Sequence, residues 1–196
     1  MPPAPPPPMA WRAFCRAHPV ILPCALRWGE MDAFQHLNNA AYFRLFEDAR
    51  IAHFRALAKA LPPPPSSEPG FGADFLAGRG PAAPILASTS CRFKFPLAFP
   101  DALFLGSSIL PLPTEANNTL DRFAMKYAVF SVARGAVAAE GTADVRLYAY
   151  EEGRRAELAQ NHPLFAAVRA VEGVATSRGE AEEARLWAAA AGSGAV

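Results

Sequence analysis

Between residues 40 and 61 the chain runs without proline or glycine, although it holds 20 prolines and 13 glycines in all. Asn38 and Asn39 stand ahead of the run as ready helix caps, and four prolines at 62–65 end it by lacking the N–H that a further turn needs. The spacing predicts one helix longer than is usual in a globular domain. Its apolar residues, including Tyr42, Phe43, Leu45, Phe46, Phe54 and Leu57, cover more than one narrow stripe, while Arg44, Glu47, Asp48 and Arg55 keep part of it wet. Such a helix has to be wrapped.

The wrapping is supplied by β-prone segments. Residues 20–28 are apolar and end at Gly29, which predicts a first strand. Residues 85–95 alternate Ala87, Thr89, Cys91, Phe93 and Phe95 against Ser88, Ser90, Arg92 and Lys94, so one face is apolar and the other polar or basic. Residues 102–110 are more uniformly apolar, as an interior strand would be, and Asn117-Asn118 marks a turn before the alternating runs 120–132 and 136–150. One strand, a long helix and four more strands joined by short connections predict an α+β fold with an antiparallel sheet curled around the helix. A doubly wound fold is excluded: no helices alternate with the strands, and no Gly-rich phosphate loop follows the first one.

Three segments fall outside that frame. Residues 1–19 read as a disordered Pro-rich leader, because the prolines at 2, 3 and 5–8 oppose an amphipathic helix. Residues 62–84 form a Pro/Gly-rich insertion within a domain spanning 20–150. Residues 151–196 turn to Ala, Glu and Arg and predict a helical tail, with helices at 157–171 and 180–191 and no evident chemistry. The 52% hydrophobic content of 196 residues suits one domain with its own core.

A formal net charge of +1 gives no overall field toward nucleic acid or anionic lipid. Cys15, Cys24 and Cys91 form no CxxC pair and no zinc-ligand spacing, which predicts neither a disulfide framework nor a structural metal. No apolar run is long enough to span a bilayer. These features predict a soluble cytoplasmic protein. The arginines and missing acids before residue 20 leave a mitochondrial address as the alternative.

The chemistry gathers where the first strand meets the helix. Asp32, His36, Asn38 and Asn39 lie in a polar loop that opens directly into the helix start, so a carboxylate, an imidazole and free backbone N–H groups converge. Taken alone, Asp32 is a loop acid that turns the chain through backbone N–H groups, His36 a loop imidazole, and the asparagines caps. Tyr42 reads first as core, and Glu47 and Arg50 as an ordinary ion pair.

The string D-x-x-x-H-x-N-N-x-x-Y-x-x-x-x-E-x-A-R, filled by Asp32, His36, Asn38, Asn39, Tyr42, Glu47, Ala49 and Arg50, resembles the hotdog-fold acyl-CoA thioesterases of the 4-hydroxybenzoyl-CoA thioesterase-like group over residues 20–150. The loop is also similar to that of the plant acyl-carrier-protein thioesterases. Phe34, however, stands where that family places a catalytic asparagine, and the departure favours the coenzyme A branch. The resemblance implies Asp32 as nucleophile or general base, His36 in support, and the backbone N–H of Asn39 as oxyanion donor. It implies Tyr42 bordering the acyl site, no metal or redox cofactor, and an acyl-CoA substrate, coenzyme A entering only as part of that substrate. Arg92 and Lys94 are the local cations offered to its phosphates. Edge-to-edge pairing in the family implies a homodimer or a dimer of dimers. Two other readings stand beside hydrolysis: a non-catalytic acyl-binding or scaffold module, and hydration of an enoyl thioester near the same helix.

Overall fold

The protein is described by a computed structural model covering residues 7–62, 82–112, 119–159 and 161–192. The helix expected at 40–61 is α2, Asn39–Ala60, reached after α1, Met9–Ala17, β1, Val20–Ala25, and a 3₁₀ turn at Trp28–Glu30. The long strands that follow are β2, Ala83–Phe93, β3, Ala102–Ile109, β5, Arg122–Ser131, and β6, Ala136–Ala149. Two-residue strands β4, Thr119–Leu120, β7, Arg154–Arg155, and β8, Leu158–Ala159, precede helices α3, Pro163–Ser177, and α4, Glu180–Gly192.

The sheet runs β1-β3-β5-β6-β2, every pair antiparallel, with β7 beside the end of β6. Chain-adjacent β2 and β3 are thus at opposite sides of the β5-β6 hairpin, and β2 is an edge. On the concave face α2 buries Tyr42, Leu45, Phe46, Ala49, Phe54 and Leu57 against the sheet, with Phe46 stacked on Tyr127 of β5 at 5.2 Å. Leu164, Phe165 and Val168 of α3 join this same core, so α2 meets apolar neighbours on more than one side, as its broad apolar pattern requires. No helix among the described residues is long and apolar enough to cross a membrane.

The disordered leader needs correction. Residues 1–6 lie outside the described residues, but Met9–Ala17 is a helix whose Trp11, Phe14 and Cys15 are buried. The prolines stop at Pro8, whose carbonyl accepts from the Trp11 N–H at 2.9 Å and so starts the helix. Trp11 packs against Phe104, Phe130 and Trp187 on the convex face, and its indole N–H donates to the Glu183 carbonyl at 2.9 Å. The guanidinium of Arg178 donates to the carbonyls of Cys15, His18 and Pro19, closing the C-terminus of α1.

The remaining boundaries shift for local reasons. The first strand ends at Ala25, not 28, because the Glu30 carboxylate accepts from the Arg27 N–H and tightens a 3₁₀ turn. The insertion ends before Ala83, which already pairs with Tyr148; 63–81 and the Asn117-Asn118 turn lie outside the described residues. The tail's first helix begins at Pro163 rather than 157, since proline suits only a first turn and the His162 ring caps it by accepting from the Leu164 N–H.

Candidate active site

Asp32 sits at the start of a tight loop. Its N–H donates to the His36 carbonyl at 2.8 Å and its carbonyl accepts from the Gln35 N–H at 3.0 Å, while Met31 and Leu37 form a β-bridge across the base. Gln35 takes φ 61, a left-handed conformation that lets the chain double back and that costs a side-chain-bearing residue about 1 kcal/mol. Asp32 Oδ1 accepts from the Phe34 N–H at 2.8 Å and, more weakly, from the His36 N–H at 3.4 Å. This is the chain-turning role of a loop acid, and it fills only one oxygen. Oδ2 takes no protein partner among the described residues.

The loop hands over to α2 through Asn38, whose Oδ1 accepts from the Ala40 N–H at 2.8 Å and whose carbonyl accepts from the Ala41 N–H at 2.9 Å. Nothing among the described residues accepts from the N–H of Asn39, the first residue of the helix. A free donor at a positive helix end beside a carboxylate is thus present in the backbone itself.

Asp32, His36, Asn39, Tyr42 and Lys94 line one cavity of about 490 Å³ with Phe34, Leu37, Phe93, Phe95 and Pro96. Tyr42 is both core and wall: its ring meets Phe93 edge-on at 5.0 Å, and burial pushes its phenol up to about 12. Lys94 at the rim is paired with Glu140 at 2.5 Å. Arg92 is not in this cavity but on the convex face, because its register partner Glu140 sits there and its side chain lines a different hollow. Phe93, Phe95 and Pro96 were not expected as site residues. The shared parity of Phe93 and Phe95 was the available signal, but parity does not say that α2 starts beneath them. Phe34 is 80% exposed at the mouth, so the cavity is open on that side.

A second constellation has the residue types of a hydrolase and fails on access. His53 Nδ1 lies 3.1 Å from Ser107 Oγ, and Nε2 lies 3.2 Å from Glu172 Oε1, off the line of a good hydrogen bond. Ser107 donates to the Ala49 carbonyl and is, like His53, fully buried. Glu172 also accepts from the Ile109 N–H at 2.9 Å, so this group fastens α3 to the edge of β3 beyond the end of β1. No substrate reaches it.

A sheet curled on one helix, with an acidic loop at the helix start, defines the hotdog class of thioester hydrolases. The chain belongs to the thioesterase-like superfamily, whose model matches residues 26–167. No curated protein shows significant sequence similarity to it. Among solved structures it is similar to a Thermus thermophilus thioesterase complexed with coenzyme A and zinc, at 22% identity over 80% of this chain and 97% of that one, TM-score 0.59. It is also similar to a DHNA-CoA thioesterase from Staphylococcus aureus (16%, covering 78% and 92%, TM-score 0.57) and a 1,4-dihydroxy-2-naphthoyl-CoA thioesterase from Synechocystis (16%, covering 76% and 94%, TM-score 0.54). At these identities the structures speak for the fold.

Proposed function

We infer that this hydrolase cleaves acyl-CoA thioesters at the Asp32 loop. The observation that carries the reading is the pairing, at one cavity, of a carboxylate held by one oxygen with an unclaimed N–H at the start of α2. Asp32 Oδ2 either adds to the thioester carbonyl, expelling the thiolate and leaving an anhydride for water to open, or takes a proton from the water that adds. In both courses the C–S bond breaks, the sulfur leaves with the electron pair, and a C–O bond replaces it. The Asn39 N–H faces the oxyanion of the tetrahedral intermediate, a contribution of about 3 kcal/mol. His36 supports the loop and the attacking water. Lys94, at the rim and shared with Glu140, is the cation for a coenzyme A phosphate; Arg92 is too far round the strand to share that task.

The site is completed by a second copy. β2 gives one edge to β6 and leaves its other edge unpaired among the described residues, with Ile85, Leu86 and Phe93 exposed along it. Two β2 edges meeting antiparallel extend the sheet and cover the open side of both cavities.

The test is thiol release from short, long and aromatic acyl-CoAs by the wild type and by Asp32→Asn, with circular dichroism to check the fold. The expected result is turnover of some of the panel and a loss of about 10³-fold in Asp32→Asn. Full turnover in a folded Asp32→Asn would remove Asp32 from the chemistry; no release from any acyl-CoA by the wild type would remove coenzyme A as the carrier.

A further inference from the structure

The convex face holds a second cavity, larger than the first at about 680 Å³ and within the range of small-molecule sites. One wall is α1. Its packed side, Trp11, Phe14 and Cys15, is pressed into the aromatic cluster, while the neighbouring stripe of Ala10, Ala13 and Ala17 stands off the sheet with only methyl groups. The floor is the outward row of β2, β6, β5 and β3, where Ser90, Thr142, Lys126 and Ser108 are cross-strand neighbours.

The charges of this hollow are unbalanced. Glu140 is engaged by Lys94, whereas Arg92 and Lys126 have no acidic partner among the described residues. Burial holds the His18 ring below its usual range, so it adds no cation near neutral pH. A hydrocarbon wall therefore faces a floor with two free cations and three hydroxyls. That arrangement matches a molecule with an apolar chain and a single anionic head, since the head gains charge-assisted hydrogen bonds while the chain covers the alanine stripe.

We propose that this convex-face cavity binds a free acyl carboxylate, with Arg92 and Lys126 on the carboxylate and Ala10, Ala13, Ala17 and Leu110 along the chain. The site is separate from the Asp32 cavity, lying on the other side of the Lys94–Glu140 pair, and does not depend on what Asp32 does.

Decanoate is the probe, titrated calorimetrically into the full chain. The wild type binds it saturably. Lys126→Glu and Arg92→Glu each weaken it by about tenfold, the loss of one charge-assisted bond. Ala13→Phe, which fills the hollow from an exposed helix position, abolishes this binding; circular dichroism verifies all folds. The proposal is overturned if the wild type shows no saturable binding, or if folded Ala13→Phe binds decanoate as the wild type does. It is also overturned if coenzyme A, not decanoate, loses affinity in the charge variants, or if sedimentation shows a second copy seated on this face that Lys126→Glu releases.

Discussion

On its concave side the sheet meets a helix of 22 residues, continuous with the loop that carries Asp32, with α3 packed beside it. On its convex side it meets two shorter helices, α1 and α4, drawn from opposite ends of the chain and joined through Trp11, Trp187, Phe104 and Phe130. The concave core is broad and shared by every long strand, whereas the convex cluster is small, built mainly on aromatic rings, and leaves a hollow beside it. The difference separates two jobs. The first face carries the start of α2 and the Asp32 loop that leads into it; the second covers apolar sheet surface with helices that lie outside the concave core.

Truncating one large aromatic on each face is the strongest way to break that contrast. Phe46→Ala opens a cavity between α2 and Tyr127 and is expected to cost about 3–5 kcal/mol, seen as one shift of the urea midpoint by every probe. Trp11→Ala removes as large a buried group, but hydrogen exchange should show residues 9–17 and 180–192 losing protection while α2 keeps its own. If protection falls everywhere alike, the convex cover belongs to the same cooperative unit as the core.

Two close approaches sharpen it further, since each face holds a glycine under an aromatic ring. A methyl on Gly141 would press into the Phe46 ring and lie 2.8 Å from the Ser90 carbonyl oxygen, a backbone atom that cannot step aside. Gly141→Ala is expected to cost about 3 kcal/mol by calorimetry. A methyl on Gly106 would lie 2.5 Å from the His18 ring and 2.8 Å from Phe14, both side chains of the α1 region. Gly106→Ala should therefore cost about 1–2 kcal/mol, with α1 lifting and thiol release unchanged. A larger loss for Gly106→Ala than for Gly141→Ala would reverse the order of rigidity.

The same contrast explains what the residues disclosed beforehand. The helix start was legible because capping is local: Asn38 bonds the Ala40 N–H two residues away. Strand parity placed Cys91, Phe93 and Phe95 together, and Cys91 and Phe95 do pack on the core, but parity could not show that β2 is an edge, which leaves Phe93 45% exposed. The site loop was legible as a string of residue types; that Asp32 spends one oxygen on its own loop and keeps the other free was not, because it depends on Gln35 turning left-handed. Of the convex cover, α4 was legible at 180–191, whereas α1 was not. Trp11, Phe14 and Cys15 already have i, i+3, i+4 spacing, yet the partners that make it worth forming, Phe104 and Trp187, lie far along the chain.

The smallest effect is a pH dependence confined to the convex cover. His18 is 9% exposed and its Nδ1–H donates to the Phe14 carbonyl at 2.8 Å; burial lowers its pKa, and the pull of that bond and of Glu140 and Glu172 only partly offsets it, with Arg178 acting in the same sense as burial. Below 6.5 the unfolded chain takes up a proton that folded His18 refuses, so stability falls as pH drops from 6.5 toward the folded value and is undiminished above it. At the other end, Cys15, buried on the same helix, is raised from 9.0 to about 12, so above 9 the unfolded chain sheds a proton that the folded one retains and stability falls again. Exchange at residues 9–17 should thus be slowest, after correction for intrinsic rates, between pH 6.5 and 9. His18→Gln should flatten the acid limb there while leaving the one expected at His162, whose pKa is also lowered by burial and whose ring must stay an acceptor to cap α3. Cys15→Ala should flatten the alkaline limb. An acid limb at residues 9–17 that survives His18→Gln would place its origin outside the α1 contact.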